Sequence, residues 1–574
     1  MHFRKFIQLC LICTLIFPIS TFSQDAPIFS GNDIFHPIYG KRGMVASQEA
    51  LATLAGAKVL QEGGNAIDAA VTVGFVLAVT LPRAGNIGGG GFMVVFDAKT
   101  KKAITIDYRE KAPVKATADM FLDENGDVDN EKARFSLLSS GVPGTVAGFA
   151  LALEKYGTYS LAKALAPAIH YAENGFPVSP GLSDSLKGLK KRFAKCPASM
   201  KIFFKNGECY EPGEMIYQKD LAQSLKKIAE EGTKAFYEGE IAQKIANEMQ
   251  QNGGLISLED LKIYRPSIRT PIYGSYRGYD VYSMPPPSSG GVHLVQMLNI
   301  LEHYPLKKWG QNSAQTIHVM AEAMKLAYAD RAKHLGDPDF VKVPISGIIS
   351  KSYAKHLLSK INLQQATSSK KILADDPWKH ESNDTTHFSV MDQYGNAVSN
   401  TYTLNFSYGS GFTVPGTGIL LNNEMDDFVA KPGVPNAFGL LGGKANAIEP
   451  QKRMLSSMTP TIVVKDDKPF LVTGSPGGSR IITTTLQIIL NVIDHDLNVA
   501  EASNMPRIHH QWYPDEIRTE KGLSFDTLDL LRQKGHKVVQ KSVMGSTQSI
   551  MWDKGFFFGA SDPRRVDALT VGVK

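Results

Sequence analysis

The chain has little cysteine. Four of its 574 residues are cysteines, and two of these, Cys10 and Cys13, fall in an N-terminal stretch that reads as a removable leader. No cysteine–histidine array has metal-ligand spacing, and His509-His510 reads as structural, so neither a metal nor another cofactor is expected. The glycine runs match neither dinucleotide nor P-loop spacing, and no Ser-His-Asp order or zinc signature stands out, which sets aside the usual nucleophile arrangements. Long apolar runs are missing too: the stretch from Phe6 to Ile19 is about 14 residues, where a spanning helix needs roughly 20. Charge of one sign is also scarce. The formal net charge is +6, and apart from short clusters such as Lys190-Lys191-Arg192 the basic residues are scattered, which speaks against a nucleic-acid partner.

What is present begins with Arg4 and Lys5, the apolar stretch, and small polar residues ending at Ser23, the layout of a secretory signal peptide. Residues 1–23 are therefore expected to be removed and the protein to be periplasmic or secreted, with no stable membrane anchor. In an oxidising compartment Cys196 and Cys209 are expected to bridge, the alternative being two buried free thiols.

Along the mature chain, Ala50, Leu51, Leu54, Ala55, Lys58 and Val59 recur at helical spacing until Gly63-Gly64 stops them, and Asn65 starts a second small-residue helix to about Thr80. Four glycines, Gly88 to Gly91, precede a predicted buried strand Phe92 to Phe96, with another from Ala103 to Tyr108. The segment Pro285 to Gly291 reads as a fixed structural loop leading into a helix. Between Gln365 and Asp384 the composition turns polar, as in an exposed linker that tolerates a chain break. Two hairpins follow, one from Thr386 to Thr403 and one from Thr459 to Thr473. The second runs into Gly474-Ser475-Pro476-Gly477-Gly478-Ser479 and a helix from about Arg480 to Asp494.

A threonine thus stands at the start of a strand, directly after a linker. Its hydroxyl is a weak nucleophile unless a base takes the proton, and the α-amine of the same residue, with a reference pKa near 7.7 to 8.0, can do so once cleavage after Asp384 makes Thr385 an N-terminus. Threonine at such a position is ordinarily just a β-former. The turn at Gly477-Gly478 offers backbone N–H groups to an oxyanion, a contribution of roughly 3 to 4 kcal/mol per donor in well-studied enzymes, or is simply a tight turn.

At these residues the sequence resembles the γ-glutamyltransferase family from Gly43 to about Val571. The segments Thr385 to Val390, Leu421 to Phe428, Leu455 to Pro460 and Gly474 to Arg480 fall in family order. The resemblance implies an α/β four-layer αββα sandwich of the N-terminal nucleophile hydrolase type. It also implies self-cleavage into a large subunit, residues 24–384, and a small catalytic subunit, residues 385–574, that stay together as a heterodimer. The reaction implied is γ-glutamyl transfer from glutathione and other γ-glutamyl compounds to water, or to amino-acid or dipeptide acceptors. Thr385 is similar to the family nucleophile, and Thr403 to the threonine that supports it. Arg109, Ser456 and Ser457 resemble the site for the donor's α-carboxylate. Asn405, Glu424 and Asp427 resemble the site for its α-ammonium, and Gly477 and Gly478 the oxyanion donors. One departure is expected to matter: Phe438 stands where the family lid has a tyrosine able to latch to the position of Asn405, which implies a looser lid and easier water entry. Two other readings compete: a β-lactam (glutaryl) acylase on the same fold, against which two carboxylates without a cation would be costly, and an inactive secreted glutamate-binding protein.

Overall fold

The computed structural model describes residues 28–372 and 385–574, apart from Pro432, Pro435, Ala437 and Phe438. The expected leader, Asp384 and the lid position Phe438 lie outside the described residues.

The helix Ala66–Thr80 shows how local chemistry builds the outer layers. Asn65 is its N-cap: its side chain accepts from the amides of Ile67 and Asp68, while the Asp68 carboxylate accepts from the Asn65 amide. Every residue of this helix is buried. Each fully buried Val, Leu or Phe here contributes roughly 1.5–3 kcal/mol. The preceding helix, Ala50–Gln61, approaches closely because Gly56 lacks a side chain; a Cβ there would sit 2.4 Å from Val73 Cγ2.

Two seven-stranded antiparallel sheets form the inner layers. The first has the order Leu569–Val573, Gly43–Ser47, Thr385–Asp392, Ala397–Thr403, Gly90–Asp97, Lys102–Tyr108 and Ser267–Arg269. The second is Ile38–Gly40, Phe556–Ser561, Gln548–Asp553, Lys468–Thr473, Thr461–Lys465, Tyr279–Ser283 and Ile272–Tyr276. Met44, Ala46, Val94, Phe96, Ile462, Val472 and Ile550 fill the space between them. Helices Ala50–Gln61 and Ala66–Thr80 cover the first sheet, with Leu161–Asn174 packed on Ala66–Thr80, and Gly290–Leu301 covers the second, with Ala314–His334 and Ile481–Ile493 packed against it. This is the expected αββα sandwich. The strand Thr385–Asp392 sits between Gly43–Ser47 and Ala397–Thr403, so chain from before and after residue 385 is woven through one sheet.

Two expectations need correction. Cys196 and Cys209 are free thiols. Cys196 precedes the seven-residue helix Pro197–Phe203, while Cys209 pairs with Phe204 just beyond it. That helix spans roughly 10 Å, more than the roughly 7 Å between Cα atoms that a disulfide allows. The Cys196 thiol faces the Thr413 carbonyl instead. The stretch before Thr385 is not a loose linker over its described part, residues 365–372. Ser369 is buried, its amide donates to Asp515 Oδ2 at 2.8 Å, and its carbonyl accepts from Trp512 Nε1 at 3.2 Å. Lys325 Nζ donates to the Thr367 carbonyl at 2.6 Å. These partners satisfy backbone groups that composition alone assigns to solvent.

Candidate active site

Thr385 opens its strand as the cross-strand partner of Thr403, and the two hydroxyls lie 3.3 Å apart. Thr403 Oγ1 also accepts from the Asn405 amide at 2.8 Å, and its carbonyl accepts from Asn86 Nδ2 at 2.8 Å. The four-glycine stretch makes this approach possible, since a Cβ on Gly89 would fall 2.2 Å from the Thr403 carbonyl oxygen. His387, two residues beyond Thr385, is the nearby imidazole that could compete as a base. It is buried, bonded to Thr401 and Ser389, and pushed by burial down to about 3, so it stays neutral and weakly basic at neutral pH.

Thr385, Thr403, Asn405, Glu424, Asp427, Ser456, Ser457 and Gly478 line one cavity of about 20 Å³, closed off by Leu440, Met458 and Ile481. That is room for a water molecule or so. Gly477, with φ +132°, lines a neighbouring cleft, while Gly478, with φ +55°, lines the same cavity as Thr385. Both glycines hold backbone that an L side chain would strain.

Arg109 is fully buried and does not itself line this cavity, but is joined to it through Glu424 and Asp427, which do. Its guanidinium donates to Glu424 and to Asp427, its Nε donates to the Met454 carbonyl at 3.3 Å, and Glu110 is 3.6 Å away. One guanidinium thus serves three buried carboxylates. Burial alone would lower the Arg109 pKa, but Glu424, Asp427 and Glu110 outweigh it and raise it. Burial raises all three acids against the opposing pull of Arg109, Glu110 to about 7. The two directions agree physically: the arginine stays charged, and too few cations remain to ionise every acid. Arg109 is thus paired with Glu424 and Asp427, while the second Glu424 oxygen and both Glu110 oxygens are buried without a hydrogen-bond donor.

Sequence reasoning missed Arg331. It ends a buried turn of the helix Ala314–His334, donates to Ser289 Oγ at 2.9 Å and Ser457 Oγ at 3.2 Å, and burial lowers it to about 10. An arginine buried near the end of a long helix was its available signal. The loop Pro285 to Gly291 also does more than shape a helix start. The Ser456 amide donates to the Pro287 carbonyl at 2.8 Å, and the Ser289 amide and hydroxyl both donate to the Ser456 carbonyl. That loop therefore orients Ser456 and Ser457.

Among the described residues, His318, Glu322 and His536 bring three ligand atoms within 4.8 Å. The imidazoles are hydrogen-bonded to each other at 2.7 Å and Glu322 is paired with Lys325, so these groups already satisfy one another. His509 bonds Thr483 and Gln511, and His510 lies 3.3 Å from Asp515. No helix among the described residues is long and apolar enough to cross a membrane.

A family model described as gamma-glutamyltranspeptidase matches residues 52–572. The glutathione hydrolase proenzyme of Escherichia coli (strain K12) is 58% identical over 94% of this chain and 93% of its own length. Among solved structures, the cephalosporin acylase from Bacillus halodurans superposes with a TM-score of 0.83 at 29% identity, covering 96% of this chain and 99% of its own. The Helicobacter pylori gamma-glutamyltranspeptidase gives a TM-score of 0.56 at 46% identity, covering 60% of this chain and 97% of its own.

Proposed function

The chain belongs to the γ-glutamyltranspeptidase family, whose chemistry is γ-glutamyl transfer and hydrolysis, and from that premise we propose how its own residues carry the reaction. The observation that carries the proposal is the cavity shared by the Thr385–Thr403 pair with Glu424, Asp427, Ser456, Ser457 and Gly478.

Maturation comes first. The Thr385 hydroxyl attacks the Asp384 carbonyl, the Thr385 nitrogen leaves that carbon, and the resulting ester is hydrolysed by water to an Asp384 carboxylate and a free Thr385 amine. The products are a large subunit, residues 24–384 after removal of a leader from an exported precursor, and a small one, residues 385–574. They remain a heterodimer because the central strand Thr385–Asp392 is bonded on one side to a large-subunit strand. The Thr385 amine then takes the proton of its own hydroxyl.

In turnover the donor's zwitterionic end enters between Arg109 and its carboxylates. Its α-carboxylate takes over the Arg109 guanidinium with Ser456 and Ser457, and its α-ammonium takes over Glu424, Asp427 and Asn405. Each internal ion pair is thereby replaced by one with the ligand, which limits the desolvation cost of binding. The γ-carbonyl is left at Thr385 with its oxygen toward Gly478 and Gly477. Attack forms a γ-glutamyl ester and expels the amine of the leaving group, protonated by the Thr385 ammonium. Water or an acceptor amine then resolves the ester.

The excess of carboxylates around Arg109 favours this reading over a glutaryl acylase, because a glutaryl group brings no ammonium to meet them. Intact mass and N-terminal sequencing of wild type and Thr385→Ala side by side test the assignment. Two fragments are expected in the wild type, the smaller beginning Thr-Thr-His, and one chain in the variant. An uncut wild-type chain would remove the amine base and the proposal with it.

A further inference from the structure

At the end of the strand Thr385–Asp392 remote from Thr385, the two sheets part. A cleft of about 340 Å³ opens between them, bounded by the turns at residues 98–101 and 393–396 of the first sheet and 466–467 of the second. Its floor is the end of the inter-sheet core: Phe96, Met391 and Phe557 belong to that core, and Trp552 packs against it. At roughly 3.3 Å per residue, Met391 lies about 20 Å along the strand from Thr385. The cleft shares no lining residue with the catalytic cavity.

Its charged groups already have partners. Lys101 of the first sheet's turn pairs with Asp467 of the second's at 3.1 Å, which ties the two sides of the cleft together. Both residues hold left-handed backbone, φ +55° and +59°, that residues other than glycine rarely adopt. Both side chains are well exposed, so the pair contributes little to stability and can swing aside. Asp392 is buried and accepts from the amides of Ala66, Tyr394 and Asn396 and from Asn396 Nδ2. Lys468 Nζ lies 5.4 Å from the centroid of the Trp552 ring. Two lysines set against two aspartates leave the lining no net charge. What it offers a ligand is the aromatic rings of Phe96, Tyr394, Trp552 and Phe557 and the Met391 thioether.

We propose that this cleft binds an uncharged, flat aromatic molecule of one or two rings, inserted between the sheets. An apolar cavity of about 150 Å³ holds benzene, so the volume here has room for roughly two fused rings. Burial of the guest's rings against the core end supplies the affinity. A charged group on the guest would have to break the Lys101–Asp467 pair or draw Lys468 off Trp552, or else lose its water without a partner. The site is independent of Thr385 chemistry, because the guest neither fills nor competes for the catalytic cavity.

Calorimetric titration of the purified wild-type protein with 2-naphthol is expected to show one saturable site, with binding about tenfold tighter than for 2-naphthoate or 2-naphthylmethylammonium. Ala98→Phe, which places a ring on the cleft wall, and Trp552→Leu are each expected to weaken binding by about tenfold while leaving γ-glutamyl-anilide turnover unchanged. Photolabelling of the wild type with 2-azidonaphthalene needs no variant: the label is expected on peptides containing residues 96–101, 391–396, 467–469 or 552–557. Absence of saturable binding, equal binding of the charged analogues, or label confined to other peptides would each overturn the inference. So would folded variants that bind 2-naphthol as the wild type does. A rise in the KM of the anilide with added 2-naphthol would place the guest in the catalytic cavity and overturn it as well.

Discussion

Thr385 and Thr403 are cross-strand partners whose hydroxyls meet at 3.3 Å, although 18 residues separate them in the chain. The pairing follows from the hairpin's register, and a slip by one residue would turn both side chains to the other face.

Thr403→Val keeps the β-branched shape and removes the hydroxyl that faces Thr385 and accepts from the Asn405 amide. Loss of a buried partner of this kind costs roughly 1–3 kcal/mol. Cleavage into subunits and γ-glutamyl-anilide turnover are both expected to slow by roughly tenfold to a hundredfold, and Thr403→Ser to restore most of each. Gel-resolved maturation rates and kcat check this; an unaffected Thr403→Val would deny Thr403 its role.

Arg109→Met leaves Glu424, Asp427 and Glu110 buried around an apolar side chain. Breaking a buried ion pair from one side costs about 3–5 kcal/mol, so a clear drop in the urea midpoint is expected together with loss of donor binding. Arg109→Lys retains the charge without the fork, and should raise the donor KM more than it lowers stability. Urea melts and donor titrations separate the two effects.

Glu110 gives the fold a pH dependence whose sign can be worked out. Burial lifts it from an ordinary 4.5 to about 7, so the folded protein holds its proton more tightly than the unfolded chain does. Its contribution to stability is full below about 4.5, declines as pH rises and is lost above about 7, a change on the order of 3 kcal/mol. Thermal unfolding of the uncleaved Thr385→Ala protein between these pH values should show that decline, and adding Glu110→Gln should flatten it. An identical slope in both proteins would assign the effect elsewhere.

Asp515 ties the described chain before residue 373 to the chain after Thr385, accepting from the Ser369 amide and facing His510. Burial would raise its pKa, but His510 and the Ser369 amide outweigh that and lower it below the ordinary 3.8. Its contribution is therefore present above that value and fades as pH falls. Asp515→Asn is expected to speed limited proteolysis around residues 366–372 at neutral pH, read by mass spectrometry of the released peptides. Unchanged cleavage kinetics would mean that Trp512 and Lys325 suffice to hold the segment.

Hydrophobic spacing, capping residues and turn chemistry by themselves determined much of the local structure. The helices stopped by Gly63-Gly64 and started by Asn65, the strands after the four glycines, and both hairpins were legible because each depends on neighbours a few residues apart. The family segments likewise named Thr385, Glu424, Asp427, Ser456 and Gly478 without a structure. The tertiary structure decided what long-range contact decides. It bound Arg109 to Glu424 and Asp427, more than 300 residues away, and it brought Arg331 to Ser457 across 126 residues. It turned Gly477 and Gly478 to different spaces, kept the two cysteines apart, and tied Ser369 down with side chains more than 140 residues further along the chain. Local sequence sets dihedral preferences and the period of burial, whereas the pairing of buried charges depends on which surfaces the folded layers bring together, and no short window of sequence contains both partners.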